Sequence, residues 1–288
     1  MKLNPAFVDR TESLFGKERF ERFIAALDCE PVVSIRYNAS KQAPDSDNSV
    51  VPWAANGRYL ASRPVFTADP LFHAGCYYVQ EASSMFLEQF VKRYIDAPVR
   101  ALDLCAAPGG KSMLMVARYL PQSHTANEVN ASRRGILRQN MQQCGVPNVE
   151  VTGLRPDQWA TEGRQFDLLL ADAPCSGQSL LCKGIKNPGC LGAQMVNGNA
   201  KRQKGILLSA VQCVAPGGHI VYTTCTYDPE ENEKVMAYIL KRNPEWQAVE
   251  VPLLAPFRST LSHFPSYRLL PAHGFGAGGF CCLLQKNK

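Results

Sequence analysis

Residues 99–120 read VRALDLCAAPGGKSMLMVARYL. The apolar run at 99–104 has the length of a buried strand, and a helical spacing at 112–120 follows it almost at once. Between them, Gly109 and Gly110 let the backbone turn sharply and approach a ligand closely. The carboxyl end of a strand is where open α/β sheets bind their ligands. Downstream, candidate strands at 124–129, 149–151, 166–171 and 219–224 alternate with helical patterns at 131–144, 200–214 and 230–242, and strands at 246–251 and 280–284 close the chain. Strands alternating with helices predict a mostly parallel sheet flanked by helices.

Upstream lies a smaller mixed unit. Its pattern predicts a helix at 17–27, a strand at 32–37, a polar loop at 38–48, short strands near Gly57 marked by Trp53, Tyr59 and Leu60, and a helix at 81–94. The expected division is a small N-terminal α/β region at 1–92 and a larger domain at 93–288. The 288 residues are 45% hydrophobic, enough for a sizeable core. A net charge of +6 is compatible with a polyanionic partner, although the 31 Lys and Arg are spread along the chain. Eleven cysteines in a long, core-rich chain predict reduced thiols. A metal site is not expected: no paired CxxC pattern occurs, the five histidines are scattered, and adjacent Cys281 and Cys282 should face opposite sides of a strand. With neither a signal-like start nor an apolar run of about 18 residues, the expectation is a cytoplasmic protein off the membrane. Nothing marks an obligate protein partner.

The glycine pair fits neither a P-loop, since GxxxxGK[ST] is absent, nor the GxGxxG dinucleotide fingerprint. Glu128 falls at the end of the next strand, where an acid accepts hydrogen bonds from ribose hydroxyls. A nucleoside cofactor without a pyrophosphate remains, and S-adenosylmethionine meets that description. The bland alternative is a structural turn plus a surface acid. Asp172, at another strand end, can face either the adenine or a bound base.

Two strand ends carry cysteine, in DAPCSG (172–177) and in YTTCT (222–226). Central strands lie about 4.8 Å apart, so if these two are neighbours, Cys175 and Cys225 flank one ligand. A thiolate suits one chemistry well. Carbon 5 of cytosine is a poor nucleophile until something adds to carbon 6, and a thiolate both adds and leaves readily. Asp172, protonated or bridged by water, would stabilise the activated base at nitrogen 3, with Lys111 assisting electrostatically. Spacing alone does not tell the two cysteines apart.

These motifs resemble those of the RsmB/RsmF-like family of RNA cytosine-C5 methyltransferases. The segment 102–111 resembles its first cofactor motif, and 172–177 and 222–233 (YTTCTYDPEENE) its two cysteine motifs. GCYYVQEASSM (75–85) resembles the lead into its catalytic domain, and 268–280 its closing motif. The resemblance implies a class I (Rossmann-like) methyltransferase sheet ending in an antiparallel hairpin, behind a small N-terminal RNA-binding region. It implies S-adenosylmethionine as cofactor, held by Cys105, Ala106, Ala107, Pro108, Gly109, Gly110, Lys111, Glu128 and Asp172. It also implies that Cys225 is the nucleophile and that Cys175 promotes release of the product. Two departures stand out. Many relatives carry Asp just after the third strand, where this chain reads VTGLRPD (151–157), making Asp157 the candidate. Some relatives also have a C-terminal RNA-binding extension, whereas this chain stops soon after Phe280, which puts more weight on the N-terminal region.

The expected substrate is ribosomal RNA first and transfer RNA second, with the base splayed from its stack. Trp53, Tyr77 and Tyr78 are candidates either for base stacking or for core packing. Lys201, Arg202 and Lys204 are candidates for phosphate contacts or for a solvated helix face. The Gly- and Asn-rich segment 176–199 is expected to be a loop over the substrate. Two other classes compete: an idle RNA-binding assembly factor, and a methyltransferase for protein or small molecules. Neither has a use for the cysteine pair.

Overall fold

The structure is a computed structural model that describes residues 5–41, 47–94, 99–119, 122–146, 148–187 and 189–288. Two helices begin it, α1 (Pro5–Phe15), which the apolar spacing does not announce, and α2 (Lys17–Leu27), where the periodicity places it. Strands β1 (Val33–Tyr37), β2 (Val50–Val51) and β3 (Ala54–Leu60) follow, then a short α3 (Pro70–His73) and β4 (Tyr77–Val79). These strands pair antiparallel in the order β2-β3-β1-β4. The centre of the predicted polar loop, 42–46, lies outside the described residues. The helix expected at 81–94 is two pieces, α4 (Ala82–Met85) and α5 (Leu87–Tyr94), interrupted at Phe86, whose buried ring meets Trp53 edge-on at 5.0 Å. Trp53 itself is 5% exposed and sits in the turn before β3, its indole donating to the Ala82 carbonyl. It and buried Tyr77, whose hydroxyl donates to Asp69, are core residues and not base-stacking platforms.

The larger sheet starts with β5 (Arg100–Asp103), followed by α6 (Gly110–Tyr119), β6 (Ser123–Asn127), α7 (Ala131–Gln143), β7 (Val149–Thr152), α8 (Pro156–Thr161) and β8 (Phe166–Asp172). Then come α9 (Ala193–Ala210), β9 (Val214–Thr224), α10 (Glu233–Arg242), β10 (Trp246–Ala248), β11 (Tyr267–Leu269) and β12 (Gly279–Lys286). The order is β10-β12-β9-β8-β5-β6-β7, with β11 pairing on β12. Strands β5 to β9 run parallel, and β12 lies antiparallel to β9 and β10. The order reverses between β5 and β8, which opens a crevice at their carboxyl ends.

Alternation along the strands makes two cores. Leu169, Ile220, Tyr222 and Cys282 face one layer, with α9 and α10, whereas Leu168, Leu170, Val221 and Cys281 face the other, with Leu114 of α6. Cys281 and Cys282 therefore do point apart. Val51, Trp53 and Met85 complete the second layer, so the smaller unit shares a core with the larger sheet. Phe23 and Leu27 of α2 pack on Tyr227, Leu270 and Ala277.

The segment 176–199 is not an open loop. It makes a 3-10 turn at Gln178–Lys183, buries Cys182 and Cys190, and enters α9 at Ala193, seven residues earlier than the apolar spacing places that helix. Lys201 and Arg202 lie exposed on α9, and the Lys204 ammonium rests 5.0 Å from the Tyr238 ring centre. Helix α10 starts only at Glu233, because the side chains of the residues before it are used to hold loops.

Candidate active site

The crevice is built from the loops after β5, β6, β8 and β9. After β5, Asp103 is wholly buried and ties the turn to α6: its carboxylate accepts from Ser112 Oγ at 2.6 Å and from the Cys105 amide at 3.2 Å. Burial pushes its pKa up to about 7. Gly109 has φ +118, a conformation open to glycine, and a Cβ on Gly110 would meet the Tyr78 ring at 2.8 Å. Tyr78 is thus a wall of the turn. Helix α7 holds the loop carbonyls, Arg133 Nη2 donating to Ala107 and Asn140 to Pro108, each at 2.8 Å.

At the end of β6, Glu128 is 5% exposed. Its Oε1 accepts from the Asn130 amide at 2.9 Å, while Oε2 lies 3.1 Å from the Arg133 guanidinium without a hydrogen-bond alignment. A buried carboxylate oxygen in that state is an acceptor in want of a donor. Asp157 differs: it is exposed at the start of α8 and pairs with Arg155 at 3.0 Å. The structure does not bring it into contact with Glu128 or with the turn after β5.

Strands β8 and β9 are neighbours, with Asp172 opposite Thr223. The Lys111 ammonium donates to Asp172 Oδ2 at 2.7 Å and Thr223 Oγ1 donates to Oδ1 at 3.0 Å, so both carboxylate oxygens are engaged. Burial opposes the charge on Lys111, but attraction to Asp172 and the hydrogen bond outweigh it and raise its pKa. Just beyond, Cys175 Sγ and Cys225 Sγ are 3.2 Å apart. Cys225 is exposed and lines a cleft of about 470 Å³, together with Lys111, Ser179, Lys183, Thr223 and Glu81, whereas Cys175 stands half-buried behind it. The hydrogen bond between the thiols divides them. It holds the Cys225 thiol below its ordinary pKa and pushes that of Cys175 well above, burial adding to the latter. Cys105 is also driven up, mainly by burial.

The sequence DPEENE after Cys225 acts as a set of braces. Glu231 accepts from the Ser176 amide and from Gln203 at 2.9 Å, which fixes the Cys175 turn. Asn232 accepts from Thr224 Oγ1 at 2.6 Å and donates to the Thr226 carbonyl, which fixes the turn of Cys225. Glu233 pairs with Arg268 of β11. Across the cleft, Glu81 Oε1 accepts from the Ala277 amide and Ser83 Oγ from the Gly278 amide, both at 2.8 Å. Sequence reasoning misses Asp103, Arg133, Ser179, Glu231 and Glu81 as site residues. Asp103, Glu81 and Glu231 lie inside motifs already singled out, at 102–111, 75–85 and 222–233, and that is the signal that finds them; Ser179 has only its place in the 176–199 segment, and Arg133 has none.

Residues 96–285 match the family described as 16S rRNA methyltransferase RsmB/F. The chain belongs to that family. Residues 3–82 match the N-terminal domain of 16S rRNA methyltransferase RsmF, so the resemblance carried by the motifs is borne out. Among relatives of the RsmB/F family, the ribosomal RNA small subunit methyltransferase F of Serratia proteamaculans is 33% identical over 256 residues, covering 83% of this chain and 53% of that protein. Its namesake from Cronobacter sakazakii is 34% identical over 271 residues, covering 86% and 55%. The chain thus spans about half the length of these relatives. A crystal structure of a methyltransferase homologue from Pyrococcus horikoshii superposes with a TM-score of 0.80 at 24% identity, covering 99% of this chain and 100% of the other. That likeness bears on the fold: the large sheet is the Rossmann-like sheet of methyltransferases. Among the described residues no helix is long and apolar enough to cross a membrane.

Proposed function

We propose that this chain methylates carbon 5 of a cytosine in RNA, using S-adenosylmethionine and a covalent adduct on Cys225, with residues 1–92 serving RNA binding and 93–288 catalysis. The names of its relatives favour small-subunit ribosomal RNA over transfer RNA as the substrate, and a reaction on that RNA would take place in the cytoplasm. The observation that carries the reading is the placement of the two thiols: Cys225 is exposed on the cleft, and Cys175 lies 3.2 Å behind it.

The crevice fits the cofactor on one structural test, the buried Glu128 Oε2 that has no hydrogen-bond donor. Glu128 would take the ribose hydroxyls, and the 105–111 turn would cradle the remainder, Gly109 and Gly110 allowing close approach. Asp157, exposed and paired with Arg155 at 3.0 Å, would have to leave that arginine to reach the cofactor. When bound, S-adenosylmethionine supplies the electrophilic methyl group that carbon 5 takes.

The protein's own part is to make carbon 5 nucleophilic and then to let go. Cys175, protonated, donates to the Cys225 thiolate, and Lys111 lowers the cost of that charge while Asp172 raises it. The thiolate adds to carbon 6 of the base. After methylation, a water molecule acting as base takes the proton from carbon 5, the freed electron pair re-forms the ring double bond and expels Cys225 as thiolate, and Cys175, still protonated, donates its hydrogen bond to that thiolate as it leaves. With Asp172 bound to Lys111 and Thr223, any contact it makes to nitrogen 3 of the base requires one of these bonds to open.

The test is to incubate Cys175→Ala and Cys225→Ala variants with cofactor and cellular RNA, then look for protein–RNA species that survive denaturation. Cys175→Ala should accumulate the adduct and Cys225→Ala should yield none. The reverse pattern would exchange the two roles, and adduct from neither would remove the covalent mechanism. Mapping 5-methylcytosine in the trapped RNA separates ribosomal from transfer RNA.

A further inference from the structure

A second cleft, of about 650 Å³, opens between the end of α2 and the turn that precedes β12. Ala26, Glu30 and Val32 form one wall, and Ala272, Gly274 and Gly276 the other. Lys183 lines both this cleft and the one that holds Cys225, so the two meet at that side chain. Beyond Ala26 the same stripe of α2 carries Arg22, one helical turn away, and Arg19, one turn beyond that. Arg22 is exposed. Arg19 lies 5.4 Å from the centre of the Phe15 ring, and Arg268 lies 5.9 Å from the same centre.

Arg268 is matched by Glu233. Among the described residues, no carboxylate forms an ion pair with Arg19, Arg22 or Lys183. The crowding registers at both sides of the cleft: burial first, then the charges of Arg268 and Arg22, lowers the pKa of Arg19, and burial, then Arg19 and Arg22, lowers that of His273. Glu30 is the single acid on the cleft wall. Glu18 and Glu21 are exposed on the same helix but form no ion pair with these arginines, so Arg19, Arg22 and Lys183 keep cationic groups available to a string of anions. The small and apolar walls leave room for unstacked bases.

We infer that this second cleft and the α2 stripe beyond it hold the single-stranded RNA that adjoins the target nucleotide, with Lys183 on the phosphate at the junction and Arg22 and Arg19 on those that follow. The inference rests on the reading of the thiol cleft as a cytosine pocket. It explains why the N-terminal helices are packed beside the turn of Cys225: they extend the substrate path from the reacting base.

The experiment is a fluorescence-anisotropy titration of the full chain with a short, unstructured, fluorescein-labelled RNA containing one central cytosine, repeated over a series of KCl concentrations. An Arg22→Gln/Lys183→Gln variant should bind about tenfold more weakly, and its slope of log affinity against log salt should shrink by about 1.4, the amount expected for two lost phosphate contacts to a single strand. A comparison variant with exposed cations elsewhere, Arg138→Gln/Lys241→Gln, should change less than twofold. Both pairs are exposed, so melting temperatures should match the parent. Equal losses in the two variants, no loss in the first, or no binding by the parent would overturn the inference. Binding is read without chemistry, so the two readings fail separately. Groove-dependent binding with no adduct from Cys175→Ala discards the cytosine chemistry and keeps the RNA path, whereas adduct formation with binding unchanged in Arg22→Gln/Lys183→Gln does the reverse.

Discussion

At the scale of single residues, the thiol pair is the informative feature, because the same hydrogen bond shifts its two members in opposite directions. A lowered pKa means that Cys225 becomes thiolate at a lower pH than the roughly 8.5 of a free cysteine. Alkylation of Cys225 by iodoacetamide, followed by peptide mass spectrometry from acid to alkaline pH, should therefore reach half its maximal rate below that value. Cys175→Ala should move the midpoint upward, since it removes the bond that lowers it, and Lys111→Met should move it upward by less. A parent midpoint at or above 8.5, or one unmoved in Cys175→Ala, would discard the electrostatic account. Both cysteines were legible in the sequence as a pair, because each follows a strand in a turn of distinctive composition. Their separate settings were not: which thiol faces the cleft depends on how Glu231 and Asn232 hold the two turns, and no spacing encodes that. Ser179 is similar, since it reaches the cleft only because residues expected to form a loop fold into a turn.

At the scale of elements, strands β5, β8 and β9 and the helices between them were readable because those strands carry apolar runs and helices keep their period, whereas β6 (Ser-His-Thr-Ala-Asn) is mostly polar and is legible chiefly from its place between two helices. The shortest elements were not. The tripeptide β11 and the four-residue α3 have no period long enough to read, and the helix at 81–94 is broken by a packing demand, that of Phe86. What holds β11 is ionic. Arg268 and Glu233 are each nearly inaccessible and joined through two guanidinium nitrogens, and Arg268 Nη1 also donates to the Tyr227 carbonyl at 2.6 Å. This ties β11 and α10 to the chain just after Cys225. Breaking a buried pair by removing one partner strands the other charge, at a cost of about 3–5 kcal/mol. Arg268→Met should lose stability of that order in urea unfolding, and Arg268→Met/Glu233→Gln should recover part of it. A loss within about 0.5 kcal/mol, the range of ordinary surface substitutions, would show that the pair contributes little.

For the whole molecule, the sequence suggested two units but not how they meet, since contacts between distant segments leave no local pattern. The structure gives them a common core. Val51, Trp53 and Met85 from the first part pack in one cluster with Leu114, Leu168, Leu170 and Val221 of the large sheet, and Phe23 of α2 meets Tyr227 edge-on at 5.0 Å. A chain of this length often unfolds in steps, because two-state behaviour is the habit of domains below about 150 residues. A shared core argues otherwise: the smaller unit cannot open without exposing one face of the large sheet to water, and the apolar area lost there destabilises both. The three tryptophans make this measurable, since Trp53 reports the shared layer and Trp159 and Trp246 the opposite one. Variants retaining only Trp53 or only Trp159, with phenylalanine at the other two positions, should each show a fluorescence transition that coincides with loss of helical circular dichroism recorded on the same variant. A Trp53 transition that precedes the loss of helix would mean that the N-terminal unit is docked on, and not built into, the catalytic sheet. The RNA path across α2 would then depend on a separable part of the fold.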